Sequence, residues 1–158
     1  MKRLLILILL IFLFCLGCQK TEEAAEKPVV DVEIEKQNVG EVVRNYHNAA
    51  ASHNYQDIRD LCADDFILFQ SGQVMNLEEY INYIKRFEGA TMTFDFEDEK
   101  INIEDSVAWV MLKSRAKMIM EEQAMDLAWL NSAVLKKKEG LWKIKFFHST
   151  DAITTSGE

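Results

Sequence analysis

The sequence predicts an α+β fold, because its apolar residues change from helical to strand periodicity partway along the chain. Between residues 39 and 87, apolar side chains mostly recur every three or four positions, as on one face of a helix. From Met92 onward they alternate with polar residues, and turn-forming residues divide this part into strands. Consecutive strands joined by short turns favour an antiparallel sheet, so the earlier helices should cover one of its faces.

The first half of the domain is predicted to hold three helices with one buried strand between the second and third. Asn76 and Glu79 have the spacing of a capping box, which marks the start of the third helix. Gly89 lies where a helix of that length would end. The predicted ranges are 39–53 and 55–62 for two helices, 66–70 for the strand and 77–87 for the third helix.

The second half is predicted to hold four strands, over 92–103 with an interruption after residue 96, 107–120, 124–137 and 141–149. The interruption is visible because apolar residues occupy even positions up to Phe96 and odd positions from Ile101. In the last strand, strict alternation would place His148 on the same face as Trp142, Ile144 and Phe146.

The N-terminus has the pattern of a secretory signal peptide. Lys2 and Arg3 precede an unbroken apolar run over 4–16, and Gly17 and Cys18 follow it. Thirteen apolar residues are too few for a transmembrane helix, which needs roughly 20. The segment Cys15-Leu16-Gly17-Cys18 resembles the lipobox of bacterial lipoproteins, which implies that Cys18 becomes the lipidated first residue of the mature protein. The alternative is an ordinary cleaved signal followed by a chance cysteine.

Three segments are therefore expected, namely a signal peptide over 1–17, a lipidated tether over 18–38 and one domain over 39–158. The tether prediction rests on a charged stretch poor in large apolar residues, although the alternation Val30, Val32, Ile34 would also suit a short strand. Cys62 is the one cysteine left in the domain, so an intradomain disulfide is not expected, and its apolar neighbours favour a buried packing role.

Charge and residue spacing exclude several classes of function. The chain has a formal net charge of −8, and loss of Lys2 and Arg3 with the signal makes it about −10. Such a surface repels phosphates, so no nucleic-acid partner is expected. The three histidines His47, His53 and His148 lack the paired spacing of a metal site, and no phosphate-binding glycine loop is present. We expect neither a metal nor a cofactor.

Two segments carry a resemblance to a known superfamily. The C-terminal run from Gly140 to Thr150 and the segment Leu61-Cys62-Ala63-Asp64-Asp65-Phe66 look like the nuclear transport factor 2-like superfamily, in particular its SnoaL-like branches. The association domain of calmodulin-dependent kinases ends similarly. The resemblance covers about residues 39–151. It implies a curved sheet wrapped by helices into a cystatin-like cone, a pocket at the open end, and frequent dimers formed across the sheet.

The resemblance also nominates site residues by position. Tyr46 matches the tyrosine of the ketosteroid isomerase branch, whereas Gln70 and Asn131 fall where that branch has carboxyl groups. An amide cannot exchange a proton at neutral pH, so that isomerase mechanism is not supported. Met111 and Ala133 fall where the kinase association domain has arginines, which weakens an anion-binding pocket.

Three residues have roles that the sequence leaves open. His148 has a side chain that titrates near neutrality and could serve as a base, or it could be a hydrogen-bonded structural histidine. Tyr46 could equally be a core ring. Trp109 could line the pocket or pack in the core or a dimer interface. The predicted pocket therefore comprises Tyr46, Gln70, Trp109, Met111, Asn131 and His148.

Together these observations predict a cell-envelope lipoprotein anchored to the membrane through Cys18. The outer membrane's periplasmic face is favoured in a Gram-negative cell, because Gln19 is not the aspartate that tends to retain lipoproteins at the inner membrane. The expected role is binding of a small apolar ligand or an envelope protein without catalysis. The alternative is an enzyme of the dehydratase, cyclase or isomerase type that uses His148 and Tyr46 as an acid–base pair.

Overall fold

The computed structural model describes residues 31–152. The predicted signal peptide, the lipidation site Cys18 and the first part of the tether lie outside these residues. Helices are α1 (Val32–Ala51), α2 (Tyr55–Leu61) and α3 (Leu77–Ile84), and a 3₁₀ turn (Lys85–Phe87) follows α3. Strands are β1 (Cys62–Gln70), β2 (Gln73–Asn76), β3 (Thr91–Glu104), β4 (Val107–Met120), β5 (Gln123–Lys138) and β6 (Leu141–Asp151). The α+β prediction, with three helices and a curved sheet, is confirmed.

The first helix begins seven residues before the predicted domain start. The carboxylate of Asp31 accepts hydrogen bonds from the backbone N–H groups of Glu33 (3.0 Å) and Ile34 (3.4 Å), which caps the first turn of α1. Glu33 and Glu35 then place negative charge at the positive end of the helix dipole. Residues 32–38 are therefore helical. The short strand considered around Val32 and Ile34 is wrong, because the cap decides their conformation.

The six strands form one sheet in the order β2-β1-β6-β5-β4-β3. All neighbouring strands are antiparallel except β1 and β6, which run parallel and bring the first and last strands of the domain together. The sequence patterns described above do not predict β2. Ser71 and Gly72 form the tight turn, both with positive φ, and Gln73–Asn76 pairs back onto β1.

The helices pack on one face of the sheet, here called the inner face, and the opposite face is called the outer face. The core between the helices and the inner face contains fully buried side chains from every layer, for example Val43, Ile58, Phe66, Ile81 and Ile144. Cys62 is part of this core, and burial raises the pKa of its thiol to about 12. Among the described helices, none is both long and apolar enough to cross a membrane.

A β-bulge in β6 decides which side chains of that strand reach the inner face. Ile144 pairs with Leu135 and Phe146 pairs with Val134, so Lys145 is an extra residue with no partner on β5. One extra residue moves every following side chain to the other face. Phe147 and Ser149 are consequently buried on the inner face, whereas His148 is exposed on the outer face. The predicted alignment of His148 with Trp142 and Ile144 is wrong for this reason.

The outer face carries a row of large apolar side chains at its centre. In β4 the even-numbered residues are buried and the odd-numbered ones point outward, so Trp109 and Met111 lie on the outer face. They are 38% and 44% exposed. Register places Trp109 in line with Val134, Phe146 and Ile67 across four strands. This row and the neighbouring Met111, Leu130, Phe69 and Val74 are called the outer apolar patch.

Candidate functional site

A cavity of about 320 Å³ lies between the C-terminal half of α1, the α3 region and the inner face of the sheet. Its size is typical of a site for a small ligand. The lining is mostly apolar, with a few polar side chains from α1 and the central strands. The residues used below are Tyr46, His47, His53, Gln70, Tyr80, Met92, Phe94, Ser114, Met118, Trp129, Asn131, Phe147, Ser149 and Asp151.

Aromatic rings form much of the cavity wall. Tyr46 stacks on Tyr80 with ring centroids 5.5 Å apart and tilts against Phe147 at 5.1 Å. On the opposite side, Trp129 tilts against Phe94 at 6.2 Å. Rings fixed in this way offer flat apolar surfaces at low conformational cost. Burial, followed by the neighbouring Tyr80, raises the pKa of the Tyr46 hydroxyl well above its ordinary value, so this group stays protonated.

His47 is the most informative polar residue of the cavity. It is 7% exposed, and its Nδ1 donates a hydrogen bond to the backbone carbonyl of Val43 at 2.8 Å. Because Nδ1 then carries the proton of the neutral ring, Nε2 has a free lone pair. Burial lowers the pKa of His47 to about 4, against the smaller opposing effect of the Val43 hydrogen bond. At neutral pH the ring is uncharged and Nε2 is an acceptor.

Three polar side chains from neighbouring strands form a second polar region on the inner face. Asn131 donates a hydrogen bond from Nδ2 to Oγ of Ser114 at 2.7 Å, and both residues are buried. Ser149 is aligned with Asn131 across the β5–β6 pair and is 7% exposed. The hydroxyl proton of Ser114, the carbonyl oxygen of Asn131 and the hydroxyl of Ser149 stay available, so the region offers both donors and acceptors to a ligand.

Among the described residues that line the cavity, one is acidic, and it lies at the mouth. Asp151 is exposed there, close to half-buried Gln70. Neither lysine nor arginine is found among the described lining residues. His53, at the end of α1, donates from Nε2 to the carbonyl of Ala90 at 3.4 Å, and its buried Nδ1 finds no partner within residues 31–152. Inside the mouth, the described lining therefore contains no lysine, arginine or carboxylate.

The structure divides the six predicted pocket residues into two groups. Tyr46, Gln70 and Asn131 line the cavity. Trp109 and Met111 do not, because both lie on the outer-facing side of β4. His148 does not either, because the bulge at Lys145 turns it outward, where it lies 6.5 Å from Phe69 between ring centroids.

Sequence reasoning missed His47, and it does not fix whether Ser114 and Trp129, on the predicted strands 107–120 and 124–137, point into the pocket. The signal for His47 was present, because it is four residues after Val43 and thus on the same helical face. The directions of Trp129 and Ser114 can be read only from the β4–β5 register, which pairs these two residues and directs both side chains inward. Within residues 31–152 no cluster of three or more His, Cys, Asp or Glu side chains has the arrangement of a metal site.

Known sequence families and solved structures both include proteins that are similar to this chain. A sequence model of the SnoaL-like domain family matches residues 39–153. No curated protein sequence matches the chain. Many solved structures share the fold, and three of them illustrate the range of proteins that carry it.

A Mycobacterium tuberculosis protein of unknown function has a TM-score of 0.72 at 16% identity, over 84% of this chain and 80% of its own. A Streptomyces avermitilis protein from the NTF2-like family, with a provisional assignment as a dehydratase, has a TM-score of 0.68 at 13% identity, over 78% and 99%. The S. rosetta CaMKII hub has a TM-score of 0.66 at 16% identity, over 74% and 96%.

At these identities the three structures establish a shared fold and nothing about activity. The cone predicted from the C-terminal motif is thus confirmed as an NTF2-like fold. The family match extends over most of the described domain, from the middle of α1 to the end of β6. This chain belongs to the SnoaL-like domain family.

Proposed function

We propose that the protein is a cell-envelope lipoprotein whose domain binds a small, mostly apolar ligand in the cavity. The observation that carries the ligand proposal is the cavity itself, with aromatic walls and only a few polar groups. Concave, largely apolar sites with few oriented polar groups are the usual form of small-molecule sites. The family match supports a ligand-binding scaffold but does not identify the ligand.

Binding is favoured over catalysis because Tyr46 and His47, two buried ionisable groups of the described lining, have pKa values far from neutrality. General acid–base catalysis works best when the pKa of the catalytic group is near the working pH. The pKa of Tyr46 lies well above that range, and the pKa of His47, at about 4, lies well below it. Asp151 is at the exposed mouth rather than inside.

The alternative is an enzyme of the dehydratase, cyclase or isomerase type, a class that the Streptomyces avermitilis neighbour suggests. The acid–base pair predicted for it, His148 and Tyr46, is not supported, since the sheet separates the two side chains. His47 is the buried histidine of the described lining, so it is the candidate base for an enzyme built on this cavity. Catalysis would then appear as turnover that is lost in His47→Phe and retained in His148→Phe.

The envelope part of the proposal rests on the sequence alone. A basic start, a short apolar run and the Gly17-Cys18 pair suit a lipoprotein signal. A lipid on Cys18 would then hold the domain at the membrane, with the outer membrane favoured in a Gram-negative cell.

One experiment tests both parts, namely native mass spectrometry of the protein extracted from the envelope of its own host. We expect a mass that lacks the first 17 residues and includes acyl chains, together with a non-covalent ligand that dissociates at higher collision energy. Cys18→Ser should lose the acyl mass and leave the membrane fraction. Unchanged acylation in Cys18→Ser would refute the anchor, and it would leave the ligand result intact.

A matched pair of variants localises the retained ligand. Ala50→Trp fills the cavity from α1, whereas Ala128→Trp adds the same bulk to the outer-facing side of β5. We expect the first variant to lose the ligand and the second to keep it. Equal retention by both variants would place the ligand elsewhere, and absence of any ligand from the wild type would contradict the binding proposal.

We also propose that a second copy of the chain covers the outer apolar patch. Trp109, Met111 and Phe69 are 38–44% exposed and contiguous across the sheet, which is unusual for a surface that faces only water. The S. rosetta CaMKII hub shares this fold. In a twofold dimer one patch would meet its own copy, so a single apolar surface satisfies both partners.

Sedimentation velocity of the chain and of Trp109→Lys tests the dimer. We expect a dimer for the wild type and a monomer for the variant, because a lysine would be desolvated twice in the interface. Gln123→Lys, an exposed position at the β4–β5 turn, is the control and should stay dimeric. A monomeric wild type at tens of micromolar protein would overturn the proposal.

A further inference from the structure

We propose that the cavity selects an uncharged, flat, ring-containing molecule with a hydroxyl group, and that this hydroxyl donates a hydrogen bond to Nε2 of His47. The inference rests on the proposed ligand binding and adds the chemical class of the ligand. Three features of the cavity support it, and each constrains a different property: the hydrogen-bond polarity, the shape and the charge of the molecule.

The hydrogen-bond polarity follows from the tautomer of His47. Nδ1 is 2.8 Å from the carbonyl oxygen of Val43, an atom that can only accept, so Nδ1 must carry the proton. Nε2 is then an acceptor without a proton. It makes no hydrogen bond to any described residue and is not among the buried atoms cut off from solvent, so it opens on the cavity. A ligand that satisfies this atom must be a donor.

The surroundings of His47 keep the acceptor in place. The ring packs edge-on against Phe94 and Phe96, both with centroids at 5.1 Å, and against Phe147 at 5.4 Å. These aromatic neighbours and the Val43 hydrogen bond make a flip of the ring costly, since a flip would leave Nδ1–H in an apolar contact. The same apolar contacts disfavour the charged form, so the acceptor persists at neutral pH.

The shape of the ligand follows from the walls. Tyr46 and Tyr80 present stacked rings on the helical side, and Phe94 and Trp129 present rings on the sheet side. Flat ring systems gain the largest contact area between such surfaces. Met92 and Met118, which are directly paired across β3 and β4, add flexible side chains near the mouth. Methionine adapts to different outlines, so the walls select flatness more strongly than one exact contour.

The charge of the ligand follows from what the lining can compensate. The described lining contains neither lysine nor arginine, and its one carboxylate, Asp151, is at the mouth. A carboxylate ligand inside would lose its hydration without gaining an opposite charge, which is costly. A neutral ligand avoids this cost, and Asn131 and Ser114 still offer it a polar contact on the sheet side.

Three probes of nearly equal size separate these properties. 2-Naphthol is flat and donates, 2-methoxynaphthalene is flat and cannot donate, and 2-naphthoate is flat and anionic. Isothermal titration calorimetry would use the chain from residue 18 onward with Cys18→Ser to prevent acylation. We expect 2-naphthol to bind about 10-fold more tightly than 2-methoxynaphthalene, equivalent to about 1.4 kcal/mol. We expect 2-naphthoate to bind most weakly.

His47→Phe keeps a flat ring and removes the acceptor. It should reduce the affinity for 2-naphthol about 10-fold more than the affinity for 2-methoxynaphthalene, so that the preference for the donating probe disappears. His148→Phe, the same substitution on the outer face, should change neither affinity.

Two results would overturn the inference while the proposed function stands. One is equal affinity of the wild type for the donating and non-donating probes, a comparison that needs no variant. The other is a preference for 2-naphthol that survives in His47→Phe. If no probe binds and the protein from its host carries no ligand, the proposed function fails as well.

Discussion

Replacing Phe147 by alanine should lower the free energy of unfolding by about 3–5 kcal/mol, the usual cost of removing a large buried aromatic ring. Phe147 is 3% exposed and belongs to the main core. Its ring contacts Tyr46 at 5.1 Å and His47 at 5.4 Å between centroids, so its loss removes one aromatic packing partner from each of them. Urea denaturation monitored by tryptophan fluorescence would measure the change.

Phe146→Ala is the matched control, because it removes the same ring from the neighbouring residue. Phe146 is half-buried on the outer face, where its ring meets Phe69 at 5.3 Å. We expect a loss of about 1–2 kcal/mol, since only part of the ring area leaves water on folding. If the two variants lost equal stability, or Phe146→Ala lost more, the bulge at Lys145 would be wrong and His148 would belong on the inner face.

The irregularity in β3 could be predicted from the sequence, whereas the bulge in β6 could not. In β3 the apolar residues change from even to odd positions between Phe96 and Ile101, and the structure has a register shift between Glu97 and Lys100. Polar residues alternate with the apolar ones both before and after the shift, so the change of position is visible in the sequence. In β6 the residues at 146 and 147 are both phenylalanine, so the sequence is compatible with either face inward.

The sequence predicted a lining residue correctly where the position of that residue alone was enough to show that its side chain points into the cavity. Tyr46 follows from the helical stripe on α1, whereas Asn131 was nominated only by its position in the family resemblance. The direction of His148 depends on the extra residue Lys145 in β6, and the alternation of apolar residues alone does not reveal it. The direction of Trp109 depends on whether the odd or the even residues of β4 face inward. Its large apolar side chain favoured the interior, but it points outward. Side-chain chemistry suggested candidates, and strand register decided among them.

Replacing Glu35 by glutamine should lower the free energy of unfolding by about 1–2 kcal/mol at pH 7. The Glu35 carboxylate accepts hydrogen bonds from Lys137 Nζ at 2.6 Å and Trp142 Nε1 at 2.7 Å. Its side chain is only 14% exposed, so these charge-assisted bonds lie in a poorly hydrated place. Glu33→Gln is the control. That side chain is 76% exposed and pairs only with Lys36, so its loss should cost no more than about 0.5 kcal/mol.

The contribution of Glu35 should depend on pH in a defined direction. The hydrogen bond from Lys137 lowers the pKa of Glu35 below its ordinary 4.5, with burial opposing it and Trp142 adding to it. The unfolded chain therefore takes up the proton at a higher pH than the folded one. The stability difference between wild type and Glu35→Gln should be constant from pH 7 to about 5.5, and it should shrink as the pH falls through the folded pKa below 4.5. A difference that grew on acidification would contradict this assignment.

The Glu35 cluster also bears on where the domain begins. Lys137 and Trp142 flank the β5–β6 turn, so their bonds to Glu35 fasten the first turns of α1 to the sheet. The sequence placed these turns in the tether, because charge predominates before Val39 and the partners of Glu35 are about 100 residues away. A chain that starts at residue 39 would lack both Glu35 and the Asp31 cap. It should therefore be at least as destabilised as Glu35→Gln, and a chain that starts at residue 31 should keep the full stability of the domain.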